Sequence, residues 1–479
     1  MRYLGVHDIL PKESNKLYMT LPDTVANPVA EEKLDFKKIF PIFIIVLIDL
    51  LGLTIIIPLM PLYATSFGAS AVMIGLLGAT YPLMQFIGAP IFGRLSDRYG
   101  RKPVLVVSQI GTLIGFLILG FSNALWMLFF SRIIDGLSGA NISTAQAAIS
   151  DSTSEKTRTQ GLGLLGAAFG LGFVVGPLIA FISLLASGND YRVPAFIAAG
   201  CSLLSILLTW FLFDETLPVE RRGDASGKVP FSLGSVFQAL SHPAVGFLLV
   251  LIFAQQIAFG GLEQLISLFT LSRLGLNAAG NAVIFVFVGL IVVAVQGGFI
   301  GPWSRRYGER RLILAGLALL AIGLVLIATT PHQPAPWYSQ SGLSEELGGS
   351  RQMPGETPPT QNLSIELPSD ANTGWLGLIW ILVAMIPASI GGGMLQPSIN
   401  SLITKRIDLR EVGGMLGISA ALLSSANALA PLIGGALFQA LGASWPFLLG
   451  GILMGVLYLV AARRLTPEGE AATPAKTPP

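Results

Sequence analysis

The chain is poor in charge. Asp, Glu, Lys and Arg make up 12% of its 479 residues, against roughly 25% in ordinary globular proteins, and the mean hydropathy is +0.70. It has one cysteine, Cys201, so no disulfide can form within the chain. Cys201 lies in an apolar run and reads as a small core residue. The three histidines, His7, His242 and His332, lie outside the apolar runs and show no metal-ligand spacing. No glycine-rich stretch ends in the Gly-Lys-Ser/Thr of a nucleotide-binding loop, which speaks against ATP coupling within the chain. A net charge of +2 gives no footprint for nucleic acid. No enzyme chemistry, metal or cofactor is expected.

What the chain has instead is long apolar runs. A helix needs about 20 apolar residues to cross a bilayer. Runs meeting this lie near 39–63, 72–92, 103–121, 124–149, 161–186, 193–213, 244–270, 279–300, 312–330, 374–399, 412–440 and 443–462. They are continuous rather than alternating, so they are helices and not barrel strands. The expectation is an all-α membrane protein with 12 transmembrane helices in two pseudo-symmetric six-helix bundles, 39–213 and 244–462. Residues 1–38 form an N-terminal segment without a cleavable signal, 214–243 a linker, and 463–479 a polar tail. Phe231–Leu240 has the pattern of a short helix at the membrane interface. Residues 331–373 hold seven prolines and are too polar to bury a core, so a disordered loop is expected there. Asn362-Leu363-Ser364 within it matches a glycosylation sequon, a short pattern that arises often by chance.

The few basic residues set the orientation. With the termini cytoplasmic, 25 Lys and Arg fall on the cytoplasmic side. Only Arg192, Arg273 and Arg351 fall outside, and Arg132 is intramembrane. Basic residues gather on the cytoplasmic face, so a multi-pass protein of the cell (inner) membrane with both termini inside is expected.

Two charged hairpins betray a duplication. Gly93-Arg94-Leu95-Ser96-Asp97-Arg98-Tyr99-Gly100-Arg101-Lys102 returns 208 positions later as Gly301-Pro302-Trp303-Ser304-Arg305-Arg306-Tyr307-Gly308-Glu309-Arg310. Gly176-Pro177-Leu178-Ile179 is echoed by Ala430-Pro431-Leu432-Ile433 at an offset of 254, the difference matching the long loop 331–373. An internal repeat of this kind marks a membrane transporter.

Ionisable residues inside the runs are functional candidates because charge in lipid is costly. There are four: Asp49 in span one, Arg132 and Asp135 in span four, and Glu263 in span seven. Arg132 and Asp135, three apart, share a helix face. With Gly136, Gly139, Ser143 and Gln146 they form a polar, small-residue stripe that suits a cavity wall. Desolvation favours the neutral form of a carboxyl and a nearby guanidinium favours the ionised form, so acids at this depth can exchange a proton with Arg132 as the modulating charge; the alternative is a static ion pair. Gln85, Asn141, Gln146, Gln255, Gln256, Gln296, Asn400 and Asn427 each need a polar partner at membrane depth, and a water-filled cavity supplies one. Span five carries Gly163, Gly166, Gly170, Gly172, Gly176 and Pro177. Small residues four apart allow close helix approach, two such faces suit a helix held between two neighbours, and Pro177 allows a bend.

These residues carry a family resemblance. Gly93-x-x-x-Asp97-Arg98-x-Gly100-Arg101-Lys102 resembles the loop signature of the major facilitator superfamily between spans two and three. Arg132-x-x-x-Gly136-x-x-Gly139 resembles its span-four pattern, and Gly172-x-x-x-Gly176-Pro177 its span-five antiporter signature. Asp49-x-x-Gly52 with Pro58 and Pro61 is similar to the 12-span drug:proton antiporters that include tetracycline exporters. The resemblance implies export of small, fairly apolar compounds driven by a proton gradient, with no cofactor, by a monomer whose partners are substrate, protons and bilayer. It implies that Asp97 and Arg101 form a gate stabilising the outward-facing state, with Asp97 contacting span eleven and Asp151 pairing with Arg101. Runs 103–121 and 312–330 lack the acids usual in tetracycline exporters, and Arg305 stands where the second hairpin would repeat Asp97. A metabolite importer or facilitator of the same fold, and a nontransporting receptor or scaffold, are the alternative readings.

Overall fold

The computed structural model describes residues 36–139, 141–153, 157–222, 233–349, 365–407 and 412–465. Most of segment 1–38, the central part of the linker, Arg351, the sequon at Asn362 and most of the tail therefore lie outside the described residues. The first half comprises α1 (Phe36–Ile56), α2 (Met60–Ser66), α3 (Ala71–Tyr99), α4 (Arg101–Gly120), α5 (Leu125–Ser138), α6 (Asn141–Asp151), α7 (Arg158–Ser187) and α8 (Arg192–Leu212). After α9 (Leu233–Leu240), the second half comprises α10 (Gly246–Leu274), α11 (Ala278–Val293), α12 (Ile300–Tyr307), α13 (Glu309–Ala328), α14 (Gln340–Gly349), α15 (Leu376–Lys405), α16 (Val412–Leu441) and α17 (Trp445–Arg464). No strand occurs among the described residues. Among the described residues, eleven stretches are long and apolar enough to span a bilayer. The twelfth expected span is the α5–α6 pair, which is divided between Ser138 and Asn141.

Local chemistry explains the breaks. The first apolar run ends as α1 plus α2 because Pro58 and Pro61 interrupt the ladder of backbone hydrogen bonds, with Pro61 in the first turn of α2. Ser70 Oγ accepts from Met73 N to cap α3, and Asn277 Oδ1 accepts from Gly280 N to cap α11. A π-helical segment, Ala294–Phe299, joins α11 to α12, so the eighth span runs on to Tyr307. The charged hairpins are narrower than the sequence suggests. Helix α3 runs through Tyr99 and α4 starts at Arg101, leaving Gly100 alone at φ 105°. Gly308, at φ 77°, does the same between α12 and α13. Both conformations are strained for any residue with a Cβ.

Segment 331–373 corrects the expectation of disorder in its described part. α14 buries Leu343 and Leu347, the Tyr338 hydroxyl donates to the Pro368 carbonyl at 2.7 Å, and Ala335 N donates to the Leu274 carbonyl at 3.0 Å. A few apolar residues suffice there because they dock on the existing helix ends rather than forming a core of their own.

The two halves meet on the membrane face that carries 331–373, here the far face, opposite the gate-loop face of Gly100 and Gly308. There α3 lies on α16, with Gly75 against Pro431 and Gly435, and Val72 N donating to Gln439 Oε1 at 3.1 Å. Ser267 Oγ of α10 donates to the Pro58 carbonyl at 3.2 Å. Towards the gate-loop face a Cβ built on Gly93, Gly166, Gly297, Gly414 or Gly417 would meet open space. Among the described residues the halves are closed on one another at the far face and part towards the gate-loop face.

Candidate functional site

The charged residues of the first half converge. Asp135 and Arg132 are both buried on α5, with Arg132 Nη1 3.1 Å from Asp135 Oδ2. The guanidinium lies 5.5 Å from the Phe116 ring centre and 6.0 Å from that of Tyr81, so aromatic faces as well as a carboxylate hold its charge. The Thr112 hydroxyl of α4 hydrogen-bonds Asp135. Asp49, half-buried on α1, accepts from Asn141 Nδ2 at 2.8 Å across the helix pair. Gln85 Nε2 donates to the Gly139 carbonyl at 2.9 Å and to the Tyr81 hydroxyl at 3.3 Å. Asp49, Tyr81, Thr112, Asp135, Gly139 and Asn141 wall one small cavity of about 10 Å³, closed by Leu50, Leu53, Phe116 and Ile142. That is room for a single water.

The break between α5 and α6 makes this possible. It releases Asn141 from a continuous span and turns it to Asp49, and non-helical backbone at membrane depth is tolerated only where protein or water satisfies it. The Gln85 bond to the Gly139 carbonyl supplies that partner. Gly136 has a packing role: it lies against the Tyr81 backbone and Met84 of α3, where a Cβ would overlap. Gln146, lower on α6, is exposed, while Ser143 of the same helix is half-buried.

Other expected residues fall elsewhere. Glu263 sits half-buried on α10 and, among the described residues, makes no ion pair or side-chain hydrogen bond. It belongs to the second half and is not part of the Asp49 cavity. Gln256 Nε2 donates to Asn427 Oδ1 at 2.6 Å, binding α10 to α16, beside a buried Gln255. Gln296 Nε2, in the π segment, donates to the Gly393 carbonyl at 3.3 Å. Asn400 Oδ1 accepts from Ser419 Oγ at 3.1 Å.

Span five, α7, is held between α1 of its own half and α11 of the other. Gly172 and Gly176 face α1, and the Thr54 hydroxyl donates to the Gly172 carbonyl at 2.9 Å. On the other side Gly170 faces Val293, and Gly289 lies on the Phe173 carbonyl, so α11 closes on α7. Gly166 faces the open side. α7 runs unbroken through Pro177.

The gate-loop face carries a second cluster. Arg101, buried, has Nε 2.8 Å from Asp151 Oδ2, and Nη1 2.8 Å from Asp97 Oδ1 and 3.0 Å from Ser96 Oγ. Nothing in the sequence singles out Glu215, whose carboxylate accepts from Arg101 N at 2.8 Å and Lys102 N at 3.2 Å, an anion on the first turn of α4. Gly93 opens to solvent and Arg98 points outward over Tyr99. The ion pairs of Asp97 and Asp151 to Arg101 thus lie within the first half, and the α3–α16 contacts described above lie at the opposite membrane face from the expected meeting of Asp97 with span eleven.

Sequence comparison fits this architecture. The Major Facilitator Superfamily profile matches residues 42–344 and 371–479. The chain belongs to the Major Facilitator Superfamily. It is 27% identical over 449 residues to the class H tetracycline resistance protein of Pasteurella multocida, covering 91% of this chain and 100% of that protein. It is 25% identical over 421 residues to multidrug resistance protein 2 of Bacillus subtilis, covering 86% and 92%. Among solved structures, that of the nucleoside transporter NupG superposes with a TM-score of 0.67 at 11% identity, covering 89% of this chain and 100% of that one. At that identity the likeness is one of fold alone.

Proposed function

We propose that the protein is a proton-coupled exporter of small, fairly apolar compounds that works by alternating access, with the gate-loop face cytoplasmic. The observation that carries this reading is the pairing of two intramembrane carboxyls, Asp49 and Asp135, around one water-sized cavity beside Arg132. Asp49 is held by a neutral donor, Asn141, whereas Asp135 has a cation. An unpaired acid is the one that can gain and lose a proton as access changes. Asp49 is therefore the proton carrier, Arg132 and Asp135 form the fixed charge pair beside it, and Glu263 is a second acid on the other half.

The relatives named for tetracycline and multidrug resistance support export as the direction. In the second half Gln256, Asn427 and Phe259 are half-buried, Gln256 bonded to Asn427 and Phe259 packed on Gly392. A small, fairly apolar cargo with few polar groups suits such surroundings. The transporting unit is a monomer, and protons supply the energy.

The test uses purified protein in vesicles with an acidic lumen, with tetracycline and a lipophilic cationic dye as probes. Uphill accumulation of either probe that collapses with a protonophore, and in Asp49→Asn, is expected. Accumulation that ignores the proton gradient, or mere equilibration of both probes, would overturn the reading.

A further inference from the structure

Segment 331–373 interrupts the repeat. The first half joins its corresponding spans over a few residues, 121–124, whereas the second inserts a segment that carries α14. That helix sits on the far face, where the halves touch. Glu346 of α14 accepts from Asn189 Nδ2 at 3.1 Å and from Asn277 Nδ2 at 3.0 Å, and the Tyr191 phenol lies against the same carboxyl. Asn189 and Tyr191 belong to the turn between α7 and α8 in the first half. Asn277 caps α11 in the second. One side chain thus ties the far-face turns of both halves. α14 is itself anchored, by buried Leu343 and Leu347, with packing against α2.

We propose that Glu346 is a proton-linked latch of the transport cycle: it bonds the two halves together while the far face is closed, and uptake of a proton favours that closed state. Opening the far face separates the α7–α8 turn from the α10–α11 turn, so Glu346 cannot keep Asn189 and Asn277 together.

The sign follows from the surroundings. Burial holds the Glu346 carboxyl above its ordinary range, and the hydrogen bonds from Asn277, Tyr191 and Asn189 pull it down by less. Once the latch opens, water reaches the group and that burial is lost. The closed state therefore binds the proton more tightly, so acid favours closure and rising pH loosens it. The other charged groups on the packed elements are engaged elsewhere. Asp190 caps Arg192 N at 2.9 Å, and Arg192 faces the Tyr63 phenol of α2. Arg273, at the end of α10, donates to Ser444 Oγ. Within 331–373, Glu345 is exposed, and Asp370 accepts from Gln340 N at 2.7 Å. A proton taken up as the far face closes has the direction an exporter needs, a point that rests on the proposed function; the latch itself does not.

The test needs no cargo, so its failure is separate from failure of the export reading. Spin labels are placed on the full chain at Trp126→Cys and Leu441→Cys, exposed far-face ends of α5 and α16, in a Cys201→Ser background. The distance distribution is read in lipid nanodiscs from about pH 5 to about pH 8. The closed population should grow on acidification. Glu346→Gln, which keeps an acceptor oxygen but cannot ionise, should stay at the acid level throughout. Glu346→Ala should raise the open-to-closed ratio on the order of tenfold. Should that variant fold poorly, Asn189→Ala and Asn277→Ala must each shift the ratio the same way by less. Distributions like the original in Glu346→Ala and both asparagine variants would refute the latch. An unaltered pH response in Glu346→Gln would refute the proton linkage.

Discussion

Arg101 and Glu309 stand at the same place in the two halves and carry opposite charge. Each follows a glycine of positive φ and each binds a serine five residues back, Ser96 or Ser304. Arg101 pairs with Asp151 at 2.8 Å, and Glu309 with Lys405 at 2.5 Å. Asp151 and Lys405 are 254 positions apart, the same offset as Gly176 and Ala430. The repeat keeps the ion pair between the hairpin and the end of the fourth span of each half, and reverses its polarity. The buried member is the hairpin residue in both pairs, Arg101 at 8% and Glu309 at 4% exposed, while the partners Asp151 and Lys405 are 23% and 58% exposed.

The two pairs should therefore respond differently to loss of the cation. Arg101→Ala leaves Asp97 and Asp151, which water reaches, and should lower stability by about 1 kcal/mol. Lys405→Ala leaves buried Glu309 with its serine donors but without a cation and should cost about 3 kcal/mol. Thermal unfolding of the detergent-solubilised variants reads both, and equal losses would show that burial does not decide the strength of the gate.

Asp97→Asn should cut transport sharply while expression and melting temperature stay near normal, because Arg101 retains Asp151 and Ser96 as partners. Transport assays in whole cells alongside a quantified membrane fraction separate these effects. Full activity would reduce Asp97 to a topological signal.

At the intramembrane site, Asp49→Asn keeps an oxygen for Asn141 and loses only the proton. Uphill export should vanish while downhill equilibration of the same probe survives. Arg132→Ala should fail earlier, at folding, because it leaves buried Asp135 without its cation, a loss of about 3–5 kcal/mol. Yield and melting temperature of Arg132→Ala should therefore fall well below those of Asp49→Asn.

Helix α7 gives a control for close packing. A Cβ at Gly176 would overlap the Thr54 hydroxyl, whereas one at Gly166 meets open space. Gly176→Ala should cost about 1–3 kcal/mol through overpacking, and Gly166→Ala should be neutral or slightly stabilising through its better helix propensity. Similar melting temperatures for the two variants would contradict the α1–α7 contact.

The pH dependence of stability should carry the mark of Glu346. A carboxyl held above its ordinary range in the folded protein contributes most at low pH, and that contribution is lost as pH rises through its folded value. The melting temperature of the original chain relative to Glu346→Gln should fall as pH is raised from about 4 to about 8. A difference that does not change with pH would place the carboxyl in water.

Where the sequence spoke clearly, it spoke through period and repeat. Twelve apolar runs and two charged hairpins set the helices and the duplication, because water and lipid sort side chains by short-range chemistry that needs no tertiary partner. Asp49, Arg132 and Asp135 stood out for the same reason: a charge among apolar residues is costly wherever the helix packs. The sequence could not say that Asn141 turns to Asp49, since that follows from the gap between α5 and α6. Nor could it choose Thr112 and Tyr81, ordinary residues until helices α3, α4 and α5 bring them beside Asp135. Glu215, Lys405 and Glu346 lie in loops or at helix ends, where composition suggests only solvation, and segment 331–349 read as disordered for that reason. Each finds its partner 90 or more residues away, or across the two halves. The sequence by itself determined a duplicated twelve-span membrane protein with acids at lipid depth, because hydrophobic length and the cost of buried charge are local properties. Only the tertiary structure decided which acid has a cation and which a neutral donor, and that one glutamate ties the two far-face turns together, because charge pairing and burial depend on what the fold brings close.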